Sequence, residues 1–431
     1  MRIVFSTFGT AGDVNPLIGL SLELKRRGHT PVLAIPEMFR SKIEPLGIEF
    51  TPVRPDQDPH DTRFVAMIYD IRHGTERGLR EFLFPSIRES YEDLLAAVRA
   101  KGGADLLVAG ELSYAAPIVA EKTGIRWASY ALAPFSFFSA YDPPVLPPYP
   151  RLSRLQSILP GTGRVVARFA RYVTRHWPEP IYALRRELGL GPGRNPIFDA
   201  KHSDALGLAL FSPVLGESQR DWPPQTRVTG FVYYDGDAGV AELAPELKEF
   251  LSAGPPPIVF TLGSAAVLDP GNFYEASARA AERLGHRAVL LVGLDAANLL
   301  ARNLSPSIFV AAYAPYSQIM PYASVVVHQG GVGTTAQALR AGKPMLVMPY
   351  SHDQPDNARR VERLGVARVV RRRQYSAETA ERALRALLTN PSYARRAAQV
   401  AVQIRAEDGL NAACDAMEAL LNRREDFGGE Q

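Results

Sequence analysis

Three glycines and two threonines fall within the seven residues of "QGGVGTT" (Gln329–Thr335), and an Asp-Gln pair, Asp353-Gln354, follows after the next apolar run. A glycine-rich turn between a strand and a helix leaves backbone N–H groups unpaired and aimed outward, at the positive end of the helix dipole. Such an end binds phosphate. Gly330, Gly331 and Gly333 allow close approach, and the Thr334 and Thr335 hydroxyls can donate further bonds. The lysine of a P-loop is missing, because Gly333 is followed by Thr, Thr and Ala. That argues against a kinase- or ATPase-type cradle. Asp353 and Gln354 come after "PMLVMPY", at the carboxyl end of a neighbouring strand, where ligands bind in open α/β sheets. A carboxylate and an amide suit adjacent sugar hydroxyls better than phosphate. For Asp353 the alternative is a helix N-cap. Together the two features read as a nucleotide-sugar site. A third candidate, Asp13, lies in another glycine turn, "FGTAGD", ahead of an amphipathic helix. There it could be a general base or could cap a helix beginning near Asn15-Pro16.

These residues need strands and helices to hold them. "RIVFSTFG", "LIGLSLELKRRG" and "HTPVLAIP" read as strand, helix and strand, and therefore as a parallel pair with a right-handed crossover. "ADLLVAGE" and "RWASYALA" flank the helical "YAAPIVAEKTG". Five further apolar runs, "IVFTLGS", "RAVLLVG", "SIFVAAY", "SVVVHQG" and "PMLVMPY", alternate with helical stretches or loops. The helix after the last glycine turn is expected to begin near Gly333 to Thr335. Continuous apolar strands alternating with helices signal parallel sheets covered on both faces. The expected fold is α/β, with two Rossmann-like doubly wound domains facing across a cleft. The expected division is an acceptor domain over 1–235, a linker over 236–256, a donor domain over 257–405, and a C-terminal helix over 406–431 that could cross back. The tail from Tyr393 to Arg424 reads as helical.

Composition narrows the function. At 431 residues, 46% hydrophobic and 22% charged, the chain suits two soluble globular domains. A net charge of +4 is too weak for nucleic acid and is compatible with anionic small molecules or a membrane surface. One cysteine, Cys414, excludes an internal disulfide and suits a reducing compartment. No apolar run approaches a membrane span, and the N-terminus reads as a strand and turn, not a signal peptide. The expected location is cytoplasmic, with peripheral contact at the inner membrane face as an option. Residues 151–194 carry nine arginines (151, 154, 164, 168, 171, 175, 185, 186 and 194) against two glutamates. They read as a solvated helix face first, and a membrane- or anion-facing surface second. No clustered His, Asp and Glu spacing suggests a metal, so no metal or other cofactor is expected.

"HQGGVGTT" followed by "AGKPMLVMPYSHDQPDN" is similar to the donor signature of inverting UDP- and dTDP-sugar glycosyltransferases of the GT-B fold. "FGTAGDVNPLIGLSLELKRRGH" resembles the opening of their bacterial antibiotic and sterol branches. "GELSYAAPIVAEKTGI", "SAYDPPVLP", "FTLGS", "NFYEASARAAERLG" and "AYAP" resemble the bacterial rhamnosyltransferases of glycolipid synthesis, so the likeness covers most of the sequence. The resemblance implies Asp13 as the base that deprotonates an acceptor hydroxyl. It places Tyr313 against the nucleobase, with Ala314 offering backbone bonds to the base edge. It implies Ser264 near the diphosphate, the Gly331–Thr335 backbone and Thr334 around the β-phosphate, and Asp353 and Gln354 on the donor sugar. Two positions depart from the pattern. Gln329 stands where relatives have a phosphate-contacting His, and Gln337 where some have the acid that holds the ribose. His328 is then a structural residue at a strand end.

The implied reaction is metal-independent inverting transfer of a hexose, with UDP-glucose favoured as donor and a hydrophobic hydroxylated small molecule (phenolic, polyketide or sterol) as acceptor. One alternative is a dTDP-rhamnose-dependent enzyme acting on a hydroxy-fatty-acid lipid; a non-catalytic nucleotide-sugar binding protein is another. For the acceptor, "APFSFFSAYDPP" supplies Phe135, Phe137, Phe138 and Tyr141, which either pack in the core or, with Phe8, line the cleft.

Overall fold

The computed structural model describes residues 1–58, 61–149, 152, 162–236, 242–293 and 304–422. Arg151, Arg154, part of the connector (237–241) and the last residues from 423 lie outside them. Strands β1 (Arg2–Ser6), β2 (Thr30–Ile35), β3 (Glu49–Pro52), β4 (Leu106–Gly110), β5 (Trp127–Ala131), β6 (Gly207–Ala209) and β7 (Thr226–Val228) form one parallel sheet in the order β3-β2-β1-β4-β5-β6-β7. Strands β8 (Ile258–Thr261), β9 (Ala288–Leu291), β10 (Ile308–Ala311), β11 (Val325–His328), β12 (Met345–Val347) and β13 (Ala367–Val369) form the second, in the order β10-β9-β8-β11-β12-β13. The helices that bear on the site are α1 (Ala11–Arg26), α2 (Thr62–Ile68), α3 (Thr162–Val173), α4 (Val332–Ala341), α5 (Gln354–Arg363), α6 (Pro391–Arg405) and α7 (Gly409–Asn422).

The apolar runs dictate the layering. Side chains alternate across a strand, so a strand that is apolar throughout must be covered on both sides. Ile3, Phe5, Leu33 and Val108 enter one core while Val4, Val32, Ala34 and Leu107 enter another on the opposite face. Val259, Val289, Val326 and Val347 divide from Phe260, Leu290, Val327 and Leu346 in the same way. The sequence pattern misses the short β3, β6, β7 and β13, whose three or four residues carry too little periodicity to read.

Each sheet has one point where the strand order reverses, between β1 and β4 in the first and between β8 and β11 in the second. Crossovers leave these points in opposite directions and open a crevice at the strands' carboxyl ends. Asp13 follows β1 and the glycine turn follows β11, so the chemistry-bearing residues stand at the two switch points.

The helical tail is two helices, α6 and α7, broken at Ala406–Asp408. The first packs on α4, where Gly342 faces Ala401, and the second packs on α1. Ala413, Cys414, Met417 and Leu421 share a core with Val14, Leu17, Leu20 and Leu24. Arg27 fixes the pairing through Asp415 (2.5 Å), Glu418 (2.8 Å) and Asn411 (2.6 Å). Where the chain returns, Gly409 touches Gly230, and a Cβ at 409 would lie 2.5 Å from the Gly230 carbonyl carbon and from Phe231 O. No described helix is long and apolar enough to cross a membrane. Gly409→Val is expected to destabilise the protein by about 1–3 kcal/mol, because backbone atoms cannot yield as side chains do. A denaturant melt checks this, with Gly285→Ala, whose Cβ meets nothing within 4 Å, as a comparison of backbone strain alone.

Candidate functional site

The glycine turn is built on His328, the buried last residue of β11. Its Nδ1 accepts the Gly330 N–H at 3.0 Å, and burial pushes the imidazole down to about 3, so the ring is neutral with its remaining proton on Nε2. Gly330 has φ 89°, and a Cβ there would sit 3.0 Å from Val347 Cγ1 and 3.1 Å from Gln354 O. Only glycine suits that position. Helix α4 starts at Val332, a little before the expected Gly333, with Gly331 as N-cap and no side chain capping it. The first N–H groups of α4 are therefore left to a ligand or to solvent. Thr335 Oγ1 donates to Gly331 O at 2.9 Å, Thr334 is buried in the first turn, and Gly333 is exposed. The Gln329 side chain reaches from this turn to the one after β8. A Cβ on Gly263 or Gly331 would come within 2.4 or 2.9 Å of its Nε2. Its Oε1 is buried without a hydrogen-bond partner among the described residues. Exposed Ser264 stands beside Gly263.

Asp353 occupies the N-cap position of α5, yet its carboxylate caps nothing. Its Oδ2 accepts from Asn357 Nδ2 at 2.7 Å, and the same nitrogen donates to Gly330 O at 3.0 Å. Asn357 thus ties the glycine turn to the Asp353 carboxylate. Gln354 is held by the protein: Oε1 accepts the Tyr350 N–H at 3.0 Å and its amide faces the Tyr69 hydroxyl. Tyr69 follows α2 from the first half of the chain and stands edge-on to Tyr350, ring centres 5.6 Å apart. The His352 ring hydrogen-bonds the Ile68 backbone, and burial holds it down at about 4.

Across the crevice, Thr10 rather than Asp13 is the N-cap of α1, which begins at Ala11, ahead of the expected Asn15-Pro16. Asp13 completes a capping box, its Oδ2 accepting the Thr10 N–H at 2.7 Å. Gly9 makes room for that return; at φ 139° its Cβ would lie 2.2 Å from Asp13 Oδ2. The capping and base readings of Asp13 are thus compatible. Burial pushes the Asp13 carboxyl up to about 6, outweighing the Thr10 N–H, with the Glu111 charge adding to it. Glu111 directly follows β4 at the same switch point. It is held by Lys201 Nζ and by Ser136 Oγ, both at 2.8 Å. Burial alone would raise its carboxyl, but the Lys201 ammonium brings it below the ordinary range. Asp353 is pushed up to about 7 by burial, against the Asn357 bond, and the Asp13 and Glu111 charges add to the shift. Helix α1 approaches the Gly263–Ala266 turn with Cα atoms within 8 Å, so the two switch points face one another.

The aromatic loop divides. Phe138 packs with Phe135 and Phe198, both at 5.1 Å, beneath Lys201 Nζ, and Phe8 belongs to the same apolar cluster. Phe137 is core, stacked on Trp222 at 4.0 Å. Tyr141 is half exposed and lines a separate surface cavity with Asp142, Arg360 and Arg396, away from Asp13. After β10, the Tyr313 hydroxyl donates to Asp235 O at 2.8 Å and Ala314 is buried. Asp235, in the connector, accepts the Ser317 N–H at 2.6 Å, and its Oδ2 lies 3.5 Å from Gln337 Nε2.

Sequence reasoning missed Thr10, Glu111, Asn357, Asp235, Tyr69 and Lys201. Thr10 had a signal in T-x-x-D at a helix start, Glu111 in its place at a strand's carboxyl end, and Asn357 in its i+4 spacing from Asp353. Tyr69, Lys201 and Asp235 arrive from distant segments and had none. Among the described residues no cluster of His, Cys, Asp and Glu could hold a metal ion.

Known proteins resemble the chain over most of its length. Residues 3–135 match the glycosyltransferase family 28 N-terminal domain, and residues 280–418 match the erythromycin biosynthesis protein CIII-like C-terminal domain. The O-mycaminosyltylonolide 6-deoxyallosyltransferase of Streptomyces fradiae is 32% identical over 98% of both chains. The vancomycin aglycone glucosyltransferase of Amycolatopsis orientalis is 28% identical over 85% of both. Among solved structures, a spinosyn forosaminyltransferase aligns with a TM-score of 0.72 at 19% identity, over 98% of this chain and 99% of that one. The glycosyltransferase VinC in complex with dTDP aligns at 0.69 and 19% identity, over 98% and 100%.

The raised carboxyls predict a stability that falls with rising pH and is regained when the charge is removed. Asp13 binds its proton more tightly folded (about 6) than at its ordinary 3.8, so stability falls as pH rises through that window and is level above it. For Asp353 the window extends to about 7. Asp13→Asn and Asp353→Asn should each melt higher than the parent at pH 8, with the advantage vanishing near pH 4. Thermal melts across that range check it; an equal offset at every pH would deny the ionisation its cost.

Proposed function

This chain belongs to the glycosyltransferase family that includes the O-mycaminosyltylonolide 6-deoxyallosyltransferase, and from that membership we propose that it carries out inverting transfer of a hexose from a nucleoside diphosphate sugar to a hydroxyl of a hydrophobic natural product. The observation that carries the reading is the pairing of two helix starts across one crevice. One bears the half-buried Asp13 carboxylate, and the other, α4, is uncapped at a glycine turn. In the proposed step the acceptor oxygen attacks the anomeric carbon on the face opposite the diphosphate. Its proton passes to Asp13, and the bond from the anomeric carbon to the diphosphate oxygen breaks. A carboxyl near 6 is ionised at neutral pH and still basic enough to take that proton. The N–H groups of the first α4 turn and the helix dipole receive the charge developing on the leaving diphosphate. A single fixed donor aimed at such charge is worth roughly 3 kcal/mol of barrier.

The nucleobase lies on Tyr313 in this reading. Asp235 supplies, from the connector, the carboxylate for the ribose that Gln337 lacks. The sequence alone favours UDP-glucose as donor. The engagement of Gln354 by Tyr350 and Tyr69 leaves Asp353 as the principal polar partner of the sugar, which suits a deoxyhexose with fewer hydroxyls to satisfy. That observation, the deoxysugar named for the 32%-identical relative and the dTDP bound in VinC together favour a dTDP-deoxyhexose.

In a thermal-shift titration dTDP should raise the melting temperature more than UDP at equal concentration; a larger shift with UDP would return the donor to UDP-glucose, and no shift with either at millimolar ligand would refute the donor site. Asp13→Asn should retain that nucleotide shift while losing roughly 10²–10⁴ of kcat/KM towards a panel of polyketide, sterol and phenolic acceptors. The acid limb of the parent's kcat/KM should fall between about 6 and 7, with Asp13 and Asp353 titrating as a coupled pair. Undiminished turnover by Asp13→Asn would remove the base from the mechanism.

A further inference from the structure

Helix α3 buries one face and leaves two unlike rows in the open. Its inner side is anchored. A Cβ at Gly163 would lie 2.3 Å from Ala140 O, Ala170 joins the apolar cluster of the first half, and Arg171 bonds Asp199 at 2.6 Å while lying over the Phe198 ring. At 3.6 residues per turn, Arg164, Arg168 and Arg171 fall in one row, of which Arg171 is tied down to Asp199, and Val165, Phe169, Tyr172 and Val173 fall beside it; Arg175 follows in the turn after the helix. The apolar four are 69%, 66%, 62% and 49% exposed, a concentration of bare hydrophobic side chains unmatched elsewhere in the described residues. Among those residues no carboxylate pairs with Arg164, Arg168 or Arg175. Arg164 lies 5.9 Å from the ring of exposed Tyr141, and Arg175 stacks on Tyr172 at 3.9 Å.

We infer that this outer face of α3 docks the enzyme on an anionic lipid bilayer. The apolar row enters the boundary between headgroups and acyl chains, and the arginine row meets lipid phosphates. The occupant follows from shape and charge. The apolar row belongs to one helix and is about half or more exposed along its length, so a rigid protein would need a groove shaped to it, whereas a bilayer deforms to cover it. Unpaired arginines alongside bare aromatics match the layered polarity of a membrane surface, where guanidinium groups find phosphate and aromatic rings sit at headgroup depth. Twelve residues span about 18 Å, enough to lie flat and too short to cross. The helix also abuts the segment that carries Phe135 and Phe138, so the docked face adjoins the aromatic side of the crevice. A membrane-dissolved acceptor would have a short path inward. The inference stands on α3 alone and does not depend on the donor reading.

Vesicle co-sedimentation of the full chain tests it. The protein should pellet with equimolar phosphatidylcholine and phosphatidylglycerol, remain in the supernatant with phosphatidylcholine alone, and release as salt is added. The double substitution Arg164→Gln/Arg168→Gln should weaken partitioning roughly tenfold or more. Phe169→Ser/Tyr172→Ser should do the same while leaving the nucleotide thermal shift intact. Phe169→Trp supplies a second readout that needs no loss of function: its emission, corrected for the native tryptophans, should shift to the blue with anionic vesicles only. Absence of binding to anionic vesicles, binding indifferent to both double substitutions, or a Trp emission unmoved by lipid would each overturn the proposal. So would a dimer in sedimentation velocity that Phe169→Ser/Tyr172→Ser converts to monomer, since a second copy would then cover the face.

Discussion

Three carboxylates share one crevice, and a low-dielectric site cannot hold three negative charges cheaply. The arrangement around them follows from how each charge is handled. Glu111 is paired with Lys201 and stays ionised, its charge still felt by the other two. Asp13 has only the N–H and hydroxyl of Thr10, and Asp353 the Asn357 amide, and those are too weak to offset burial, so both sit within reach of neutral pH. A carboxylate in that state suits proton abstraction, and a site that keeps it there must give up some stability at neutral pH. In the proposed reaction the conflict between charge and burial is what makes Asp13 a base, rather than a flaw in the packing.

The fold supplies the geometry for this conflict almost automatically. Parallel sheets with apolar strands must be wrapped on both faces, and where the wrapping changes direction the strand ends are left open. Two such points, one per sheet, face each other because Val65 and Tyr69 of the first half pack into a core of the second, while α7 returns to seal α1. Gly230 and Gly409 mark the crossing of the connector and the returning chain, where side chains would keep the backbones apart.

Much of this is legible in residue order. The continuous apolar runs point to the two doubly wound sheets, since their period admits few alternatives, and the glycine spacing locates the turn after β11. Helix starts read a few residues late: Pro16 draws the boundary towards itself although Thr10 already closes a capping box, and the glycines hide the first turn of α4. Asp353 and Asp13 are recognisable by type and place. Their partners are harder, because Asn357 looks like an ordinary helix residue until Gly330 O is brought beside it. Lys201, Tyr69 and Asp235 reach the site from segments far away in sequence, and no local pattern encodes such long-range meetings. The arginine-rich stretch shows its charge but hides its exposure; only the folded helix separates the arginine row from the bare apolar row beside it.

The central claim is that the uncapped start of α4 receives a diphosphate opposite Asp13. A crystal structure of the protein with dTDP tests it most directly. The β-phosphate should lie within hydrogen-bonding distance of the backbone N–H groups between Gly331 and Thr335, with the base against Tyr313 and the open side of the phosphate facing Asp13. A diphosphate seated instead on the Gly9–Asp13 turn, or on the outer cavity beside Arg360 and Arg396, would contradict it.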